Sequence, residues 1–144
     1  RSYSVTGVQT CALPIYYENA QNGKGARVLL VKVSDPQRFG VAALDEQKVV
    51  EIQEKPENPK SDYAVVGAYI YDRRVFDVID HIKPSARGEY EITSVNNKYI
   101  ELGELEYDFV QGRWMDTGTF ESYYVANKIM YEHYFEKMGI EKPE

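Results

Sequence analysis

The sequence predicts an α/β protein in which short buried strands come first and helices alternate with strands after them. Two apolar runs, Val-rich Ala26 to Val33 and Ala64 to Asp72 with its β-branched and aromatic residues, have the length and composition of buried strands. Three later stretches, beginning near Val75, Ile92 and Thr119, repeat apolar residues at helical spacing, and Gly, Pro or Asp clusters separate the segments. A chain of 144 residues that is 43% hydrophobic is long enough to bury about 70% of its unfolded surface, so disulfides and a structural metal are unnecessary.

Taken in order, a polar, Gly-punctuated stretch from Glu18 to Gly25 reads as the end of a helix, and Ala26 to Val33 as the first strand. Pro36 and Gly40 mark SDPQRFG as turn and loop, and Val41 to Asp45 as the next strand. A turn at Asp45 to Lys48 returns the chain into KVVEIQEKP, where Val49 and Ile52 alternate with polar neighbours until Pro56. ENPKSD is loop by composition. The strongest strand signal is AVVGAYIYD, dominated by β-branched and aromatic residues. A helix follows with Val75, Phe76, Val78, Ile79 and Ile82 on a broad apolar face and Pro84 beyond it. A second helix carries Ile92, Val95, Tyr99 and Ile100 and closes at Gly103. LEYDFV is a short strand, and TFESYYVANKIMYEHYFEKMG, residues 119–139, reads as a long amphipathic helix with Thr119 suited to its start, Glu121 in its first turn and Gly139 suited to its end.

Net charge of −6 argues against a nucleic-acid partner, because phosphate backbones are held by clustered Lys and Arg. No apolar run approaches the roughly 20 residues that span a bilayer, so a cytoplasmic setting without membrane association is expected. Residues 1–15 differ in character from the rest. They lack the basic start and apolar core of a signal peptide, and Val5 to Ile15, VTGVQTCALPI, is similar to a translated sequencing-library primer. On that reading Cys11, the only cysteine, is foreign to the natural protein, and residues 16–144 are the natural part.

RFGVA, EKP, AVVGAYIYD, KPSARGEYEIT and GRWMDTGTFES are each weak signals alone. In this order and spacing they resemble the second half of the sugar-1-phosphate nucleotidylyltransferases, most closely the glucose-1-phosphate thymidylyltransferases. SDYAVVGAYIYD and KPSARGEYEIT are the specific part of the match, since EKP is shared widely. The resemblance implies the C-terminal half of a three-layer, Rossmann-like nucleotide-diphospho-sugar transferase fold. It also implies a magnesium-dependent reaction of dTTP with glucose 1-phosphate, giving dTDP-glucose for rhamnose synthesis, in a parent enzyme that is a homo-oligomer. Such chemistry is mostly positioning and charge neutralisation.

By the same resemblance, Glu54 accepts hydrogen bonds from sugar hydroxyls and Lys55 holds the sugar phosphate as a point charge. Gly40 lets the backbone approach the sugar, Val65 offers main-chain contacts, and Gly67 and Tyr69 line the sugar pocket. Asp116 is the implied magnesium ligand, Trp114 packs on the sugar, and Arg87 and Glu89 stand one layer behind, with Arg87 orienting Glu54. Plainer readings exist for each. Glu54 and Lys55 are also what a solvated strand end looks like, and Gly40 is also a turn glycine. Val65, Gly67 and Tyr69 also suit a core strand, Trp114 a core or lid aromatic, and Asp116 a helix start.

The family pattern usually has Asp after EIT, where Ser94 stands, and Met115 occupies a variable position. The Gly-rich GGxGTRL segment that would bind the triphosphate is absent from residues 16–144. The expectation is therefore a chain that is inactive by itself and catalytic only with a first half. A sugar-phosphate-binding module without catalysis, a transferase using another nucleotide and a decayed, nonfunctional product are the alternatives.

Overall fold

The computed structural model describes residues 23–112 and 114–139, and the chain divides into two compact units, Arg1–Gly112 and Arg113–Glu144. The primer-like segment with Cys11, and the start of the polar stretch after it, lie outside the described residues. In the first unit the strands are β1 (Ala26–Lys32), β2 (Gly40–Asp45), β3 (Lys48–Glu54), β4 (Tyr63–Tyr71) and β5 (Leu105–Phe109), and the helices are α1 (Val75–His81) and α2 (Ile92–Glu101). Among the described residues they give a five-stranded sheet in the order β3-β2-β4-β1-β5. β1 pairs parallel with β5 and antiparallel with β4, and β2 pairs antiparallel with both β3 and β4.

The Val-rich runs are central because they bury both faces. Val28, Leu30, Ala42, Ile52 and Val65 form the core on one face, while Leu29, Val41 and Ala64, alternate in sequence with these, are buried on the other. α1 and α2 cover the end of the first face, where Ala26, Val95 and Tyr99 meet Val75, Val78 and Ile82. The apolar face of α1 is narrower than the sequence implied. Val75, Val78 and Ile82 lie on one helical stripe and pack, whereas Phe76 is 72% and Ile79 44% exposed on the adjoining side.

Edge strand β3 is fastened by α2. Asn97 accepts a hydrogen bond from the Ile52 amide at 2.9 Å and donates to the Ile52 carbonyl at 2.7 Å. Both groups would otherwise be open on the free edge of the sheet. α2 ends in a left-handed Gly103, φ 68°, whose amide bonds the Ile100 carbonyl at 2.9 Å.

The end of β4 is tied to the start of β1 by a polar cluster. Asp72 accepts from the Gly25 amide at 2.7 Å, from the Tyr99 hydroxyl at 2.9 Å and from the Arg74 guanidinium, which also pairs with Glu104. Burial would raise the Asp72 carboxyl, but these donors outweigh it and hold it at about 2. Burial and the bond to Asp72 push the Tyr99 hydroxyl up to about 12.

In the second unit, α3 (Phe120–Met138) begins where the sequence placed it. Thr119 accepts from the Ser122 amide at 3.1 Å while Ser122 accepts from the Thr119 amide at 3.2 Å, a reciprocal cap. Gly139, φ 64°, ends it. α3 buries none of its side chains; Tyr131, Tyr134 and Phe135 instead pack on one another along its surface.

Candidate functional site

The antiparallel register of β2 and β3 makes Gly40 and Glu54 facing partners at one end of the pair. The Val41–Ala64 pairing of β2 with β4 then brings Val65 to the same end. Past Val65 the β1–β4 ladder is irregular, with Val28 opposite Tyr69 but Leu30 opposite Val65, so three residues of β4 face Leu29 alone. Gly67 is the middle one. An extra residue re-aims a strand, and such irregularities recur beside binding sites. Gly67 is exposed, and no atom lies within 4 Å of where a Cβ would be.

Glu54 is held from above by α2. Thr93, 6% exposed, donates from its hydroxyl to Glu54 Oε2 at 2.6 Å. Thr93 and Asn97 are one helical turn apart, about 6 Å of rise, which matches the roughly 6.6 Å between alternate strand residues Glu54 and Ile52. One face of α2 thus grips β3 at two alternate residues, through the Glu54 side chain and the Ile52 main chain. Gly40 completes the corner, because a Cβ there would stand 3.4 Å from both Glu54 Oε2 and Thr93 Oγ1. Glycine leaves that side of the hydrogen bond open.

Tyr69 is half-buried and stacks on Tyr71, ring centroids 6.0 Å apart and 14° from parallel. Burial pushes its hydroxyl pKa up, and the nearby Glu54 carboxylate raises it further, so it stays a neutral phenol. Val65 has its side chain in the core, 8% exposed, and can offer a ligand only main chain. Lys55 is exposed, and its amide donates to the Phe39 carbonyl at 3.0 Å.

Gly40, Glu54, Val65, Gly67 and Tyr69 therefore meet at one corner of the first unit, with Lys55 immediately beside them. Trp114 and Asp116 belong to the second unit, both half-buried. Asp116 Oδ1 accepts from the Gly118 amide at 3.1 Å, and a Cβ on Gly118 would come within 3.2 Å of the carboxylate. Asp116 therefore shapes the turn ahead of α3, while the helix cap itself is Thr119. The expectation that Arg87 orients Glu54 is corrected. Arg87 pairs with Glu89 at 3.0 Å and with Glu91 at 3.6 Å, closing the SARGEYE loop on itself, and Thr93 is the side chain that reaches Glu54. Glu89 is engaged in that same local pair.

Among the described residues no group of three His, Cys, Asp or Glu is placed to hold a metal. Asp116 supplies one hard oxygen donor, which suits magnesium only as one ligand among phosphate oxygens and water. The corner itself offers a carboxylate with one oxygen held by Thr93, a neutral phenol, open space at Gly67 and, next in sequence to Glu54, the exposed Lys55. That set suits a hydroxyl-rich, anionic ligand. Thr93 and Asn97 escaped the sequence reading; a polar pair at i, i+4 on the otherwise apolar face of α2 was their signal.

Residues 11–133 match the family model described as "Nucleotidyl transferase". A glucose-1-phosphate thymidylyltransferase of Neisseria meningitidis is 47% identical over 106 residues, 71% of this chain and 36% of that protein. One from Xanthomonas campestris is also 47% identical, over 107 residues, 72% of this chain and 36% of its own length. A Bacillus anthracis structure, described as a glucose-1-phosphate thymidylyltransferase in complex with a sucrose, superposes with a TM-score of 0.75 at 49% identity, covering 83% of this chain and 48% of that one. An apo UDP-glucose pyrophosphorylase at 24% identity shares the fold, with a TM-score of 0.70 over 84% of this chain and 46% of its own. The chain thus spans about a third of these curated relatives and about half of the solved structures.

Proposed function

The chain belongs to the nucleotidyl transferase family, and on that premise we propose that its Gly40, Glu54 and Thr93 corner receives the sugar of a hexose 1-phosphate. The observation that carries this reading is the Glu54 carboxylate, whose Oε2 is held by the Thr93 hydroxyl at 2.6 Å at the end of β3 that faces Gly40. A carboxylate with one oxygen held by a hydroxyl donor has further lone pairs for sugar hydroxyls, and a hydrogen bond to a carboxylate is the stronger kind. Lys55 takes the phosphate as a compact cation and leaves its oxygen able to attack. Gly67 and Gly40 admit the ring edge, and Tyr69 gives a phenol donor at the floor.

The whole reaction is the transfer of a thymidylyl group from dTTP to glucose 1-phosphate, in which the sugar-phosphate oxygen attacks the α-phosphorus and pyrophosphate leaves in line. Magnesium, when bound, neutralises phosphate charge, and Asp116 would be one of its ligands. The nucleotide site, magnesium dependence, a cytoplasmic homo-oligomer and supply of dTDP-rhamnose synthesis all belong to this proposal. So does the inactivity of the chain alone, because the GGxGTRL segment that would cradle the triphosphate is not in the sequence of residues 16–144.

Isothermal titration of the chain tests the reading. Glucose 1-phosphate should bind saturably, and both removal of the phosphate, using glucose, and Glu54→Gln should weaken binding at least about tenfold, the scale of a lost charged hydrogen bond. Binding that is indifferent to Glu54→Gln would contradict it.

A further inference from the structure

Glu54 and Lys55 are consecutive residues, and in a regular strand consecutive side chains point to opposite faces of the sheet. Glu54 faces α2, since Thr93 touches it. An extended backbone through Lys55 would send the ammonium to the opposite face, away from any ligand that Glu54 holds. The backbone does not continue in that way. Lys55 has φ of 42°, in the left-handed region that disfavours any residue with a Cβ. The neighbouring Pro56 restricts Lys55 further. The turn is pinned from the adjacent strand, where the Phe39 carbonyl accepts the Lys55 amide at 3.0 Å, one residue beyond the Gly40–Glu54 pair. Among the described residues the other non-glycine one with positive φ, Glu46, has an ordinary explanation, because it sits in the two-residue turn between β2 and β3, where such angles are required. Lys55 lies in no such hairpin.

We propose that the left-handed backbone at Lys55 is the device that brings two sequence neighbours, a carboxylate and an ammonium, onto one sugar phosphate. A strained lysine is kept at this position because its charge is needed there, and Phe39, through its carbonyl, is the positioning residue. The inference rests on the sugar-phosphate reading above and adds how the two groups come to share a face. Residues that accept positive φ should be more comfortable at position 55 than lysine or alanine.

The test compares Lys55→Gly, Lys55→Asn and Lys55→Ala in the 144-residue chain, by thermal melting and by titration with glucose 1-phosphate and with glucose. At an exposed extended position glycine lowers the melting temperature relative to alanine. Here the order should invert, with Lys55→Gly and Lys55→Asn melting about 4 °C above Lys55→Ala. All three should bind glucose 1-phosphate at least about tenfold more weakly than the parent chain while binding glucose equally. If alanine melts as high as glycine and asparagine, the backbone is not strained and the proposal fails, whatever the binding shows. If the melting order inverts but glucose 1-phosphate binds all three variants as tightly as the parent, the strain serves no phosphate and the proposal is overturned on its functional side. Failure of the site as a whole would show separately, in the Glu54→Gln titration.

Discussion

Replacing Thr93 with Val isolates the contact on which the corner depends. The side chains have nearly the same shape, so the buried space under α2 stays filled and only the donor to Glu54 is lost. A hydrogen bond to a charged acceptor contributes about 1.5–3 kcal/mol, and Glu54 without it is free to turn toward solvent. If that fixed carboxylate is what meets the sugar, the dissociation constant for glucose 1-phosphate should rise about 10- to 100-fold. Thr93→Ser, which keeps the hydroxyl, should recover most of the affinity. Calorimetric titration of both variants, with melting curves alongside, reads these effects. A Thr93→Val chain that binds within about twofold of the parent would refute the argument that Thr93 positions Glu54.

Other consequences concern the scaffold that holds the corner. Gly25 has φ of 88°, and an added Cβ would lie 2.6 Å from the Glu104 carbonyl oxygen, so Gly25→Ala should cost about 2–3 kcal/mol in urea unfolding. Asn97→Leu removes both bonds to Ile52; it should cost about 2 kcal/mol and speed hydrogen exchange of the β3 amides before those of β1. The Asp72 carboxyl is lowered to about 2 in the folded chain from an ordinary 3.8, so its contribution is complete above the ordinary value and lost as pH falls through about 2. That contribution is about 2 kcal/mol. Urea midpoints measured from pH 5 to pH 2 should fall more steeply for the parent than for Asp72→Asn, and parallel curves would contradict this.

Much of the fold was legible because its signals are local. β4 announces itself through Val65, Val66, Tyr69 and Tyr71, and α3 through Thr119 and Gly139, whose roles depend only on residues within one turn. The apolar face of α1 was overdrawn, since periodicity counts Phe76 and Ile79 without knowing that only one stripe meets Ala26 and Tyr99. At the corner, Gly40, Glu54 and Gly67 were legible as residue types. Thr93 was not, because its partner lies 39 residues away, and a threonine near the start of a helix reads as a local cap. Arg87 looked free to reach Glu54, but local ion pairs with Glu89 and Glu91 form at less entropic cost than a distant one. The left-handed Lys55 runs against its local signal, because a residue before proline reads as extended. Such departures from local preference gather at functional positions.

The most direct measurement is a titration of the isotope-labelled chain with glucose 1-phosphate, followed by amide chemical shifts. The account predicts saturable shifts concentrated at Gly40, Glu54, Lys55, Gly67 and Thr93, with glucose moving Lys55 far less than glucose 1-phosphate does. Shifts that avoid this corner, or no shifts at millimolar ligand, would contradict the claim that these residues form a sugar-phosphate site.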